Sequence, residues 1–238
     1  MKKTTLAIAV ASSFAFAGMA QAQDYQVEVG ASYLDMDGDE TILMLDATYY
    51  LEQVSTSAKP LAEVAFLGRN SNLSLSFSNY DEADVNGFSF DGEFWFDDFY
   101  VAVGYDDVDG DSDISARLGY MLQDGALVYV GIDDEEFADE NTYILGAKYV
   151  ANLGGNFVNL EGELLTNDGD NAIALAADYF VNHEMSIGLR VEESDVSGVD
   201  TTWGVGARYF FMPNMSAELE YTTQDSANTI GFRLAARF

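Results

Sequence analysis

Cysteine is absent from the 238 residues, which excludes disulfides, thiolate chemistry and cysteine-ligated metal sites. Basic residues are scarce: 10 Lys plus Arg stand against 41 Asp plus Glu, a formal charge of -31 that excludes a nucleic-acid partner held through its phosphates. There are only two prolines, Pro60 and Pro213, and one histidine, His183. No stretch after the N-terminal segment approaches the roughly 17 to 25 apolar residues of a membrane helix, which excludes a helical membrane protein. What remains is apolar and aromatic: 48% of residues are hydrophobic, with 14 Tyr and 16 Phe, too many for acidic disorder. With 21 glycines the composition suits many strands joined by short turns.

The N-terminus reads as an export signal. Lys2 and Lys3 precede the small and apolar run Thr4 to Gly18, and Ala20-Gln21-Ala22 offers a cleavage site, so residues 1–22 are expected to be removed. Residues 23–238 then form one domain. Period-2 alternation runs through it, clearest where Phe88, Phe90, Gly92, Phe94 and Phe96 alternate with Ser89, Asp91, Glu93 and Trp95. Strands are expected near 25–35, 41–50, 71–80, 87–96, 99–106, 113–121, 126–133, 141–150, 157–165, 171–180, 185–192, 201–210, 215–222 and 228–238. That makes fourteen, with 12 or 16 as the alternatives.

Alternation alone does not separate a water-soluble sandwich from a barrel in lipid; the two faces do. The more apolar register runs from Tyr25, Val27, Val29, Ala31 and Tyr33 to Ile230, Phe232, Leu234, Ala236 and Phe238, and none of its residues is charged. The opposite register carries Glu28, Asp46, Asp91, Glu93, Arg117, Lys148, Glu161, Glu163, Asp178, Arg190, Arg208, Glu218, Glu220, Arg233 and Arg237. So many charges cannot sit in the dry core of a sandwich, because unpaired burial costs several kcal/mol each. They can line a wet lumen. Tyr49, Phe96, Tyr120, Tyr149, Tyr179, Tyr209 and Phe238 close the outward face of every even strand, as expected of an aromatic girdle at one membrane interface.

An even-stranded barrel alternates short inner turns with longer outer loops. The connections at 97–98, 122–125, 182–184 and 212–214 are short; those at 81–86, 107–112, 134–140 and 194–200 are longer and polar. Parity then makes 51–70 one periplasmic connection. Within it Pro60 suits a first helical turn, and Leu61 with Ala65 and Ala62 with Phe66 share faces, so a short helix is expected against or inside the inner mouth. An extra strand is the alternative. Lys59 and Arg69 flank it and are expected to reach lumen or rim carboxylates, with Leu61 and Phe66 as further plug or rim contacts.

The alternating end from Thr229 to Phe238, with its terminal aromatic, resembles that of Gram-negative outer-membrane β-barrels. The run Lys59 to Arg69 after the second strand is similar to an element of the acidic porin family of marine gammaproteobacteria. The resemblance implies an all-β, antiparallel up-and-down barrel in the cell outer membrane. It also implies barrel assembly machinery and periplasmic chaperones as partners during export, with Phe232, Leu234 and Phe238 as the assembly signal.

Fourteen strands spaced by about 4.8 Å and tilted near 40° enclose a backbone radius of roughly 14 Å, room for a water-filled passage. Passive, cation-preferring diffusion of ions and small hydrophilic solutes is the expected function. Glu28, Asp46, Asp91 and Glu93 are expected to form an acidic wall beside strands 13 and 14, giving a transverse field. The outer loops and strand ends hold 25 of the 41 acids and no base, a crown that should favour cations. Two of them repeat D-x-D-G-D, at Asp35, Asp37, Asp39 and at Asp107, Asp109, Asp111, the second extended by Asp113. Oxygen ligands so spaced suit Ca²⁺ or Mg²⁺, but neither run has the position-12 glutamate of an EF-hand, and a solvated acidic loop is the plainer reading. The alternative function is a closed structural or surface-interaction barrel whose acidic loops bind divalent cations or lipopolysaccharide. No enzyme is expected, since His183 falls in an inner turn where it reads as an exposed turn residue.

Overall fold

The computed structural model describes residues 24–37, 40–57, 59–135 and 141–238. The expected export segment, residues 1–22, and Asp39 lie outside them. Fourteen antiparallel strands close on themselves, β1 pairing with both β2 and β14. They are β1 (Asp24–Met36), β2 (Thr41–Ser55), β3 (Asn72–Tyr80), β4 (Val85–Phe96), β5 (Phe99–Val108), β6 (Asp111–Gln123) and β7 (Ala126–Glu135), followed by β8 (Thr142–Asn152), β9 (Phe157–Asn167), β10 (Asp170–Phe180), β11 (Met185–Ser194), β12 (Thr202–Met212), β13 (Met215–Gln224) and β14 (Ala227–Arg237). A single short helix, α1 (Val64–Gly68), lies between β2 and β3. The count is fourteen, not 12 or 16.

The register is held from both faces. On the outside, Leu75 opposes Phe90 and Phe77 opposes Phe88, apolar pairs that a slip of one residue would turn inward. On the inside, opposite charges face each other directly across strands: Lys148 and Glu161, Arg208 and Glu218, Glu218 and Arg233, Glu28 and Arg237. A slip would break these pairs as well. Large apolar side chains of the outer face, among them Leu118, Val130, Leu145, Leu164, Leu189 and Leu219, have no protein over them. Barrel closure also uses the chain end, where the Phe238 carbonyl accepts the N–H groups of Gln26 and Val27, and its N–H donates to Val27 O at 2.8 Å.

Three expectations change. β2 runs on to Ser55, so the connection to β3 starts after it. Tyr25, expected on the lipid face, points into the inner mouth, because the β1–β2 register shifts between Tyr25 and Val27 and reverses the facing of the residues before it. The expected long loop at 107–112 is a strand extension closed by Asp109-Gly110, at φ 58° and 93°; Asp168-Gly169 makes a similar turn at φ 45° and 95°. Asp-Gly tolerates the left-handed backbone that two-residue hairpins need, a signal the composition-based reading of these loops passed over.

Candidate functional site

The inner mouth is built one residue beyond the girdle. Tyr49, Tyr120, Tyr149, Tyr179 and Tyr209 face out, so the strand pleat turns Tyr50, Met121, Val150, Phe180 and Phe210 inward, and all five are buried. Sequence reading stopped at the outward aromatic and missed this collar, although the doublets Tyr-Tyr, Tyr-Met, Tyr-Val and Tyr-Phe announce it. The connection between β2 and β3 folds into the collar. Val64 is 1% exposed and packs with Tyr25, Tyr50 and Val54, and Leu61 is also buried.

Polar ties fasten this plug around the rim. Leu61 N–H donates to His183 O at 2.8 Å, and His183 Nδ1 lies 3.0 Å from Lys59 O. Arg237 Nη1 donates to Leu61 O at 2.8 Å, its guanidinium lying between the rings of Tyr25 and Phe210. Arg69 Nη2 reaches Asp98 at 3.2 Å and Asp124 at 3.1 Å, in the turns after β4 and β6. Lys148 Nζ sits 3.0 Å from Glu63 and 2.8 Å from Glu161, over the face of Phe66, whose ring also meets Trp95. Burial pushes the Glu63 carboxyl above the ordinary carboxylate range, with Lys148 opposing the rise.

Two expected contacts are corrected. Among the described residues Lys59 reaches no carboxylate and donates instead to Leu67 O at 3.0 Å, tying the segment to itself. His183 is not a free turn residue: it is half-buried against Phe157 and clamps the plug.

Above the plug lies a polar cavity of about 510 Å³, lined by Glu93, Arg117, Lys148, Glu161, Glu163, Asp178, Arg190 and Arg208 with the aromatic side chains Phe66, Trp95, Tyr100 and Tyr129. Glu220 lines a smaller neighbouring cavity with Arg190. The remaining charges form a chain of ion pairs on the wall where the barrel closes. Arg233 reaches Asp46 at 2.7 Å, Glu218 at 3.2 Å and Glu28 at 3.3 Å, and Arg237 reaches Glu28 at 2.6 Å. The expected acidic wall is therefore neutralised at Glu28 and Asp46, because closure brings β14 with its arginines against β1. Arg208 pairs with Glu218, Arg190 with Asp178 and Glu220, and Arg117 with Asp133. All six basic residues of the wall are thus paired. Asp91, Glu93 and Glu163 have no base within 4.0 Å among the described residues.

Of the first D-x-D-G-D run the structure describes Asp35, Met36 and Asp37, and the second lies in the β5–β6 hairpin. Asp37 Oδ2 accepts the backbone and side-chain N–H of Asn228 at 2.9 and 2.7 Å, and Asp109 occupies a hairpin turn. In the β5–β6 hairpin, strand alternation sends Asp107 to one face and Asp111 and Asp113 to the other. Among the described residues no three His, Cys, Asp or Glu are grouped to hold a metal ion.

A closed antiparallel barrel with an apolar outer face and a wet charged interior is an outer-membrane pore-type barrel. The chain belongs to the family described as "Putative general bacterial porin", whose profile matches residues 1–138 and 116–238. It is similar to the Acinetobacter baumannii outer membrane protein Omp33 at 28% identity and a TM-score of 0.82, over 92% of this chain and 100% of that one. The fold is also shared with the KdgM porin at 12% identity and a TM-score of 0.51, over 89% of this chain and 99% of that one. An engineered Rh. blastica porin aligns at 11% identity and a TM-score of 0.53, over 90% and 99%. No curated protein matches the chain. Family and structural likeness together place it in the outer membrane.

Proposed function

We propose that the barrel is a passive diffusion pore for ions and small hydrophilic solutes, that it prefers cations, and that the connection between β2 and β3 is a plug that holds its conductance down. One observation carries the reading. The polar cavity of about 510 Å³ inside a fully paired barrel has the connection as its floor, fastened by hydrogen bonds and ion pairs instead of by strand pairing. Cation preference is supported by the three unpaired wall acids Asp91, Glu93 and Glu163 and by the base-free outer crown. Screening over about 8 to 10 Å confines the crown's effect to the entrance. Planar-bilayer recording of the refolded mature chain tests this: discrete conductance with a cation-biased reversal potential is expected, and deletion of Lys59 to Arg69 should raise or steady the current. A folded barrel that stays electrically silent in both forms would reject it.

The seated plug and the pairing of all six wall bases favour a second reading, a closed barrel acting through its outer surface. It predicts silence in the bilayer together with calcium-dependent binding or stability in calorimetry.

A further inference from the structure

The inward residues that cross β4 to β9 in register read Trp95, Tyr100, Gly119, Tyr129, Gly146 and Glu163. The Tyr129 ring occupies the space that a Cβ at Gly146 would take, so it lies along the wall, and its hydroxyl donates to Glu163 Oε1 at 2.6 Å. At the other end Trp95 and Tyr100 lie 4.9 Å apart, and the Tyr100 hydroxyl donates to Glu93 Oε1 at 2.7 Å, while Asn72 donates to Oε2 at 2.9 Å. The row thus presents aromatic faces with a carboxylate at each end. Neither Glu93 nor Glu163 has a base within 4.0 Å among the described residues, although neutral donors fix both in place.

The cavity's own ammonium group says what such a wall takes. Lys148 is the protein's own ammonium in this cavity, held between Glu63 and Glu161 with its Nζ 4.8 Å from the Phe66 centroid. The row itself carries no basic side chain, and Arg117, which lines the same cavity, is taken up by Asp133; an organic ammonium supplies positive charge along with an alkyl body for the rings. An anion would meet two uncompensated carboxylates. A neutral sugar could stack on the rings but would leave the charge unmatched.

We propose that the Trp95–Glu163 wall is a binding site for small organic ammonium solutes, a station on the diffusion path; this rests on reading the lumen as that path. The chain has two tryptophans, and Trp203 is on the lipid face, so Trp203→Phe leaves Trp95 as the only tryptophan. The refolded barrel in detergent micelles is titrated with n-butylammonium chloride, against KCl at equal ionic strength, butyrate and n-butanol, while Trp95 fluorescence is read. A saturable change with butylammonium alone is expected, weakened at least about tenfold in Glu93→Gln and in Glu163→Gln. An equal response to butanol or KCl, or no saturation, overturns the proposal. If Glu93→Gln fails to refold, as judged by the heat-dependent gel shift, Glu163→Gln carries the test, because it leaves the Trp95–Tyr100 pair in place. Saturable binding by a barrel that is silent in the bilayer would overturn the pore reading but not this site; conductance without binding would do the reverse.

Discussion

The guanidinium of Arg237, one residue from the end of the chain, donates to the carbonyl oxygen of Leu61 at 2.8 Å, while its Nε meets Glu28 at 2.6 Å. One side chain therefore both seats the plug and joins β14 to β1, so plug release and barrel closure are coupled through it. Arg237→Met should raise open-pore current in bilayer recordings. It should also lower the unfolding free energy of the barrel, read from its denaturant transition, by about 1 to 3 kcal/mol, the cost of an under-paired buried carboxylate, limited because Arg233 still reaches Glu28.

Glu63 gives the plug a pH dependence. Burial raises its pKa when the plug is seated, so the seated state binds a proton more strongly than the released state. Acid therefore favours seating, and this contribution is lost as pH rises through the raised value, above the ordinary 4.5. Lys148, Glu161 and Arg208 are the charges that bear on Glu63, and Lys148 narrows the effect. Conductance should increase as pH rises through that raised value, and Glu63→Gln should flatten the profile. An unchanged profile in that variant would assign the pH response to another group.

His183→Ala removes the side-chain contact to Lys59 O but keeps the backbone bond from Leu61 N–H. A net loss of about 1 kcal/mol should shift the plug roughly fivefold towards release. Single-channel open probability reads this directly, and the barrel's unfolding midpoint should stay put.

Leu189 is 66% exposed on the outer face of β11 and touches hydrocarbon. Leu189→Arg should cost about 2 to 4 kcal/mol of folding stability in lipid vesicles. Ser76, on the inner face of β3 opposite Asp46, should accept lysine with far smaller loss. Equal costs at the two positions would contradict the assigned facing.

Where the sequence could be read, the reading rested on chemistry that repeats. Fourteen charge-free stripes and seven terminal aromatics point the same way at every strand, and each strand came within a few residues of its observed bounds except β2. Its last five residues read as loop, because Glu52 and Gln53 interrupt the apolar register, while Val54 packs with Val64 of the plug. The plug's place after β2 followed from parity. Its fastening did not, since Leu61 finds His183 and Arg237 only across the mouth.

The strand pattern groups the lumen charges on one face but does not name their partners. Glu28 and Arg237 stand at opposite ends of the sequence, and nothing local says that they meet.

The alternation of apolar and charged residues by itself determined a lipid-facing barrel with a wet interior, because side-chain facing in a strand is set by position parity and needs no knowledge of neighbours. Only the closed structure decided which carboxylates are neutralised, which remain bare beside Trp95 and Tyr129, and what fills the inner mouth. Those depend on which strands become adjacent when β1 meets β14, and pairings across the lumen are set by three-dimensional distance, which the order of residues along one strand does not encode.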